Sequence, residues 1–219
     1  MTIIKENVAQ PKLTKNTDLI RRTLTKASFL ISATQLSGCP EDSGAEIAFV
    51  GRSNAGKSSA INKLCNQNKL AFSSKTPGRT QMLNFFGLPE EKRLVDLPGY
   101  GYASTSKSNQ KQWSYLINDY LKYRESLKAV ILLMDCRHPL KDQDLQFLNW
   151  CSGCSLPVLG LLTKADKLSN NQSKQQLMKT KKSLKQSDLK IELALFSSTK
   201  GTGLEEAHYF IGKHLEIGN

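Results

Sequence analysis

Short, unbroken apolar runs alternate along this chain with longer amphipathic stretches, and that alternation predicts its elements. Ser28 to Thr34 reads as a first strand, and Gly38 to Gly44, with Pro40 inside it, as a loop. Residues 46–50 read as a second strand, followed by a helix ending near Asn66. Residues 67–81 are polar and rich in turn formers; Met82 to Leu88 and Arg93 to Asp96 then read as a hairpin-like pair. Lys107 to Arg124 places Trp113, Leu116, Ile117, Tyr120 and Leu121 at helical spacing, the pattern of a core face rather than of an aromatic binding stripe. Ala129 to Asp135 is apolar throughout, as in a strand buried on both faces. Beyond it the pattern predicts a helix over Asp142–Trp150, a strand over Val158–Leu162 and a polar helix over Asn170–Gln186. A strand over Ile191–Phe196 and a closing helix over Leu204–Leu215 complete the chain. Strands alternating with helices specify an α/β domain, a doubly wound, mostly parallel sheet with helices on both faces. Ligand loops belong at the C-terminal ends of its strands. Residues 1–25 are polar with weak periodicity and read as a mobile or loosely docked N-terminal arm, leaving 26–219 as the single domain.

Composition narrows the setting. A chain of 219 residues with 39% hydrophobic content can bury one sizeable core. No stretch approaches the roughly 20 apolar residues of a membrane span, and the start MTIIKENVAQPK lacks a secretory apolar region. A cytoplasmic, membrane-free monomer is expected. Five scattered cysteines (Cys39, Cys65, Cys136, Cys151, Cys154) suit free thiols in a reducing compartment. Cys151 and Cys154 have redox spacing, but they lack both a thioredoxin-like setting and further zinc ligands. Net charge is +12, from 31 Lys and Arg against 19 Asp and Glu, and much of the excess lies in Lys174–Lys190. One such helix could serve solubility alone; with a pI near 9.5, a polyanion held through its phosphates is the favoured partner. No RNA-recognition motif with stacking aromatics is visible.

Candidate chemistry enters at Gly51, Arg52, Ser53, Asn54, Ala55, Gly56, Lys57 and Ser58. This is a glycine, four free positions, then Gly-Lys-Ser, set between a strand and a helix. Gly51 and Gly56 allow a backbone turn whose N–H groups converge on phosphate oxygens. Lys57 supplies a cation for the β- and γ-phosphates, Ser58 a hydroxyl for Mg²⁺, and the following helix its positive end. A nucleoside triphosphate site follows. The base is chosen by Thr163, Lys164, Ala165 and Asp166 after the run Val158–Leu162. The Asp166 carboxylate can accept from guanine N1–H and its exocyclic amine, which adenine cannot offer. Lys164 would lay its stem along the base. Asp96, Leu97, Pro98 and Gly99 end a strand, placing Asp96 to hold Mg²⁺ through water and the Gly99 N–H to meet a γ-phosphate. Gly78, Arg79, Thr80, Gln81 and Met82 belong to the loop between, with Thr80 as second protein ligand of Mg²⁺. Phe196, Ser197 and Ser198 close the last strand and could bring backbone N–H groups to guanine O6. Lys57, Thr80, Asp96 and Gly99 are the candidate catalytic groups.

The set GRSNAGKS, TPGRTQ, DLPGYGYA, TKAD and FSS resembles the EngB (YihA/YsxC) family of bacterial GTPases, within the translation-factor-related P-loop GTPases. The resemblance runs from about Lys26 onward. It implies GTP and GDP as ligands, and a role in assembly of the large ribosomal subunit whose loss disturbs cell division and septation. Tyr100 stands where many GTPases carry a water-orienting glutamine, so slow intrinsic turnover is expected. Asn54 occupies the position of an asparagine that helps bind K⁺ in potassium-stimulated GTPases, and an ordinary loop asparagine fits as well. Arg79 could add charge to its loop or face solvent or RNA. A nucleotide-controlled switch is favoured over an enzyme that powers a second reaction, because no further catalytic cluster is present. Direct action on a division partner is the alternative.

Overall fold

The computed structural model describes residues 15–72, 82–100 and 107–218. Seven strands form one sheet: β1 (Ser28–Ala33), β2 (Ala45–Gly51), β3 (Leu83–Gly87), β4 (Lys92–Asp96), β5 (Leu127–Asp135), β6 (Val158–Thr163) and β7 (Glu192–Leu195). Their order is β1-β3-β4-β2-β5-β6-β7. β4, β2, β5, β6 and β7 run parallel, and the expected β3–β4 hairpin is antiparallel. β1 adds antiparallel to β3. The α-helices among the described residues are α1 (Lys15–Leu24), α2 (Lys57–Leu64), α3 (Lys107–Tyr123), α4 (Asp142–Gly153), α5 (Asn170–Gln186) and α6 (Leu204–His214).

Side chains alternate across a strand, so each central strand feeds two cores. Ile47 and Phe49 of β2, with Ile131 and Leu133 of β5, join Ile20, Leu24, Ile61, Phe210 and Ile211 on the side of α1, α2 and α6. Ala48 and Val50, with Val130 and Leu132, join Ile117, Tyr120, Phe147 and Leu184 on the side of α3, α4 and α5. On α3 the expected core positions Ile117, Tyr120 and Leu121 are buried, while the Trp113 side chain lies outside the described residues.

Residues 1–14 of the expected N-terminal arm lie outside the described residues, and the remainder departs from expectation. Lys15–Leu24 is a helix rather than a loosely docked arm, and Ile20 and Leu24 are buried. Its polar composition hid this, because only two positions one helical turn apart reach the core. Close approach to α6 is possible because residue 212 is glycine: a Cβ there would lie 2.2 Å from Ile20 Cδ1.

At the N-terminal end of β2, away from the P-loop, Glu46 is fully buried and carries charged partners. Arg93 Nε donates to Oε1 at 2.7 Å, Arg124 Nη2 to Oε1 at 2.7 Å, and the Tyr120 hydroxyl to Oε2 at 2.8 Å. These bonds pin the C-terminal end of α3 to the sheet, and a buried charge of this kind persists only when paired.

Candidate functional site

Parallel register brings the C-terminal ends of β2, β5, β6 and β7 to one edge. Gly51 pairs with Leu133, Asp135 with Thr163, and Leu162 with Leu195. The loops leaving β2, β4, β6 and β7 therefore meet there, and they carry the motifs.

After β2 the chain turns tightly over Leu133, whose carbonyl oxygen would lie 2.5 Å from a Cβ at Gly51. Asn54 (φ 62°) and Gly56 (φ 91°) adopt the left-handed conformation, and nothing lies within 4 Å of where a Gly56 Cβ would sit. That open, side-chain-free face is the cradle a phosphate chain needs. Gly56 caps α2, whose first residues are Lys57 and Ser58. The Lys57 ammonium bonds the Asp96 carboxylate at the end of β4. Asp96 is buried; burial pushes its carboxyl up, and Lys57 pulls it the other way. Ser58 and Asp96 thus offer one hydroxyl and one carboxylate. Among the described residues no cluster of three or more His, Cys, Asp or Glu could hold a metal by itself. This donor set fits Mg²⁺, which binds through one or two protein oxygens and takes the rest of its shell from phosphate and water. Gly78, Arg79, Thr80 and Gln81 lie outside the described residues; Met82 leads into β3.

The DLPG segment lies directly on the P-loop. The Leu97 N–H donates to Phe49 O at 2.9 Å, the Tyr100 N–H to Gly51 O at 3.3 Å, and the Ser53 N–H to Tyr100 O at 2.9 Å. Arg52 and Tyr100 form a parallel bridge. A Cβ on Gly99 would sit 3.3 Å from Gly51 O, so Pro98 and Gly99 carry the chain flat across the loop. The Tyr100 ring turns away into the core, where its hydroxyl donates to Asp144 at 2.6 Å.

The base-side loop is tied to the P-loop by two side chains. The Thr163 hydroxyl lies 2.6 Å from Ala55 O and 3.1 Å from Met134 O, sharing its one hydrogen between them. Lys164, itself left-handed (φ 57°), donates from Nζ to Asn54 O at 2.7 Å, and its ammonium lies 3.1 Å from Asp135 Oδ2. Its aliphatic stem therefore spans from the base loop to the P-loop. Asp135 also takes a two-pronged contact from Arg137, at 2.9 Å and 2.7 Å; these bonds hold its carboxyl well below the usual carboxylate range. Ala165 is buried at the start of a single helical turn, with its N–H on Phe196 O at 3.1 Å.

Two of the expected backbone donors of the β7 loop are already engaged: the Phe196 N–H donates to Leu162 O at 2.8 Å and the Ser197 N–H to Thr202 O at 3.1 Å. Ser197 acts through its side chain instead: fully buried, its hydroxyl donates to Asp166 Oδ1 at 2.6 Å. That bond is the main cause holding the Asp166 carboxyl below its usual value. Ser198 follows, half-buried at the rim. Sequence reasoning missed Asp135, Asp144 and the Ser197 hydroxyl. The only local signal for them was an acidic residue at a strand end and another in the first turn of a helix.

The family model described as 50S ribosome-binding GTPase matches residues 46–164. A probable GTP-binding protein EngB of Colwellia psychrerythraea is 50% identical over 193 residues, covering 88% of this chain and 86% of the relative. The chain belongs to the EngB family of GTP-binding proteins. A second EngB relative, from Coxiella burnetii, is 50% identical over 181 residues, 83% of this chain and 88% of its own. In fold, the chain resembles the crystal structure of a probable GTP-binding protein engB, with a TM-score of 0.63 at 20% identity over 78% of this chain and 99% of that one. It also resembles Aquifex aeolicus Era bound to GDP and aluminium fluoride, with a TM-score of 0.62 at 24% identity over 80% of this chain and 57% of that one. As an EngB-family member the chain is a GTPase that binds GTP and GDP. None of the helices among its described residues is long and apolar enough to cross a membrane.

Proposed function

We propose that this GTPase is a slow, nucleotide-controlled switch that docks on the assembling large ribosomal subunit through a basic surface, acting as a cytoplasmic monomer. The observation that carries the docking is α5, which leaves the base loop almost directly. Lys174, Lys179, Lys181, Lys182 and Lys185 are all exposed on it, and the helix contains no acidic residue. Such a face collects phosphate backbone with little sequence preference. The ribosome-binding description of the matching family model supports the same partner. Effects on cell division and septation would then follow from ribosome supply.

In this reading the Lys57 ammonium and the amides of Asn54, Gly56, Lys57 and Ser58 hold the phosphates, with Asp166 accepting from guanine and Lys164 lying along it. Lys57 exchanges its bond to Asp96 for phosphate oxygens, which frees the Asp96 carboxylate. Ser58 and Thr80 would hold Mg²⁺ directly and Asp96 through water, and the metal would supply positive charge to the phosphates. The Gly99 N–H meets the γ-phosphate. Gly78, Arg79, Gln81 and Met82 are the further candidate contacts to the nucleotide. Asn54, exposed on the loop, is the candidate residue for K⁺. With the Tyr100 phenol turned into the core, no side chain at that position aligns the attacking water, and hydrolysis waits for a partner.

Capture from bacterial lysate tests the switch: ribosomal large-subunit particles should be retained with a non-hydrolysable GTP analogue and largely lost with GDP. Equal retention in both states, or a division protein as the sole captured partner, would overturn it.

A further inference from the structure

We infer that Asp144, on α4 and outside every phosphate and base motif, is a positioning residue that sets the preference for triphosphate over diphosphate, acting through Tyr100. The pair is a buried latch. The Tyr100 hydroxyl donates to Asp144 Oδ1 at 2.6 Å, and both residues are no more than 5% exposed. The other carboxylate oxygen accepts the Lys141 N–H at 2.9 Å, closing the first turn of α4. Asp144 is therefore anchored by its own helix and cannot follow the loop without unwinding that turn. The Tyr100 ring also stacks on Phe147 of the same helix, centroids 6.2 Å apart at 21°.

The other end of the latch is backbone. Bonds from the Tyr100 N–H to Gly51 O (3.3 Å) and from the Ser53 N–H to Tyr100 O (2.9 Å) hold the backbone on both sides of the Tyr100 Cα against the P-loop. Gly99 lies between these bonds and Pro98. Its amide direction is thus inherited from a phenol anchored on α4. Burial pushes the Asp144 carboxyl up, and the Tyr100 hydroxyl, the Lys141 N–H and Arg52, whose Nε is buried, pull it the other way. A donor aimed before the ligand arrives needs no reorganisation on binding. GDP has no γ-phosphate and makes no demand on that amide. Loosening the latch should therefore weaken the triphosphate alone.

This rests on the reading that the Gly99 N–H meets the γ-phosphate, so the experiment separates the two claims. Calorimetry with GDP and with a non-hydrolysable GTP analogue is run on wild type, Tyr100→Phe, Asp144→Asn and Gly99→Ala, with thermal melts confirming folded protein. Tyr100→Phe and Asp144→Asn should each weaken the analogue about three- to tenfold while GDP affinity stays within about twofold. A general loss of structure would weaken both ligands in parallel, and that result, or no change in either, overturns the latch. Gly99→Ala should shift the same ratio, because its methyl presses on Gly51 O at 3.3 Å. If it does and the latch variants do not, Asp144 has no positioning role. If Gly99→Ala leaves the ratio unchanged, the γ-phosphate reading fails and the latch falls with it.

Discussion

At the residue scale, the site works by fixing side chains that could otherwise swing. Asp166 is the clearest case: a carboxylate at a loop can rotate, and the buried Ser197 hydroxyl holds one of its oxygens at 2.6 Å. The same hydroxyl oxygen accepts the Lys200 N–H at 3.1 Å, so Ser197 is itself held. Ser197→Ala is expected to weaken GDP binding by about 1 kcal/mol, roughly fivefold, through loss of this orientation. Calorimetry checks it, and an unchanged affinity would mean Asp166 orients without help. Thr163 fixes backbone in the same fashion. Its short hydroxyl reaches Ala55 O and ties the base loop to the P-loop across 108 residues of sequence.

Elements are joined to the site by a few buried polar contacts rather than by apolar packing alone. α2, which begins at the phosphate cradle, is bonded at its far end to α6: His208 Nε2 lies 3.0 Å from Leu64 O. The other ring nitrogen is buried with no hydrogen-bond partner among the described residues. Burial lowers the His208 pKa below 6.5, the Leu64 carbonyl opposes this, and Arg21 and Glu205 pull in opposite directions from α1 and α6. The sign follows from proton counting. Above pH 6.5 neither folded nor unfolded chain holds the proton and the contribution is complete; below it the unfolded chain binds the proton first, so stability falls with pH. One proton bounds that slope at about 1.4 kcal/mol per pH unit. Denaturant unfolding of the wild type should lose stability as pH falls below about 6.5, and His208→Gln should flatten the slope. His214, also lowered by burial, would leave a smaller residual slope. An undiminished slope in His208→Gln would assign the acid sensitivity elsewhere.

Across the whole molecule, charge and chemistry are separated. The phosphate cradle sits at the C-terminal edge of the sheet, while the longest acid-free basic face, α5, runs along its flank. Replacing Lys179, Lys181 and Lys182 with glutamine should lower affinity for large-subunit particles. The slope of log affinity against log salt should also become shallower, by up to about 0.9 for each phosphate that is no longer neutralised. GTP affinity should not change, because these lysines stand apart from the site. Binding measured across a potassium chloride series decides the matter, and an unaltered slope would place the RNA-binding face on another surface.

Most of the architecture was legible in the sequence because it is local. The apolar runs gave β2, β5 and β6 nearly to the residue, α5 matched Asn170–Gln186, and GRSNAGKS declared its chemistry through a strand before it and a helix after. Spacing along the chain carries such information, since periodicity and turn chemistry act over a few residues. The rest depended on partners distant in sequence. Polar α1 became a core element only where Gly212 let it approach α6. Ser197 was expected to act through its amide, which Thr202 claims, and it reaches Asp166 through its hydroxyl instead. Tyr100 could be seen to lack a glutamine's chemistry, but not to be latched onto Asp144, 44 residues away. What the chain binds is written in short motifs; how rigidly it aims them was decided by packing, because a buried hydrogen bond needs two groups that only the folded sheet brings together.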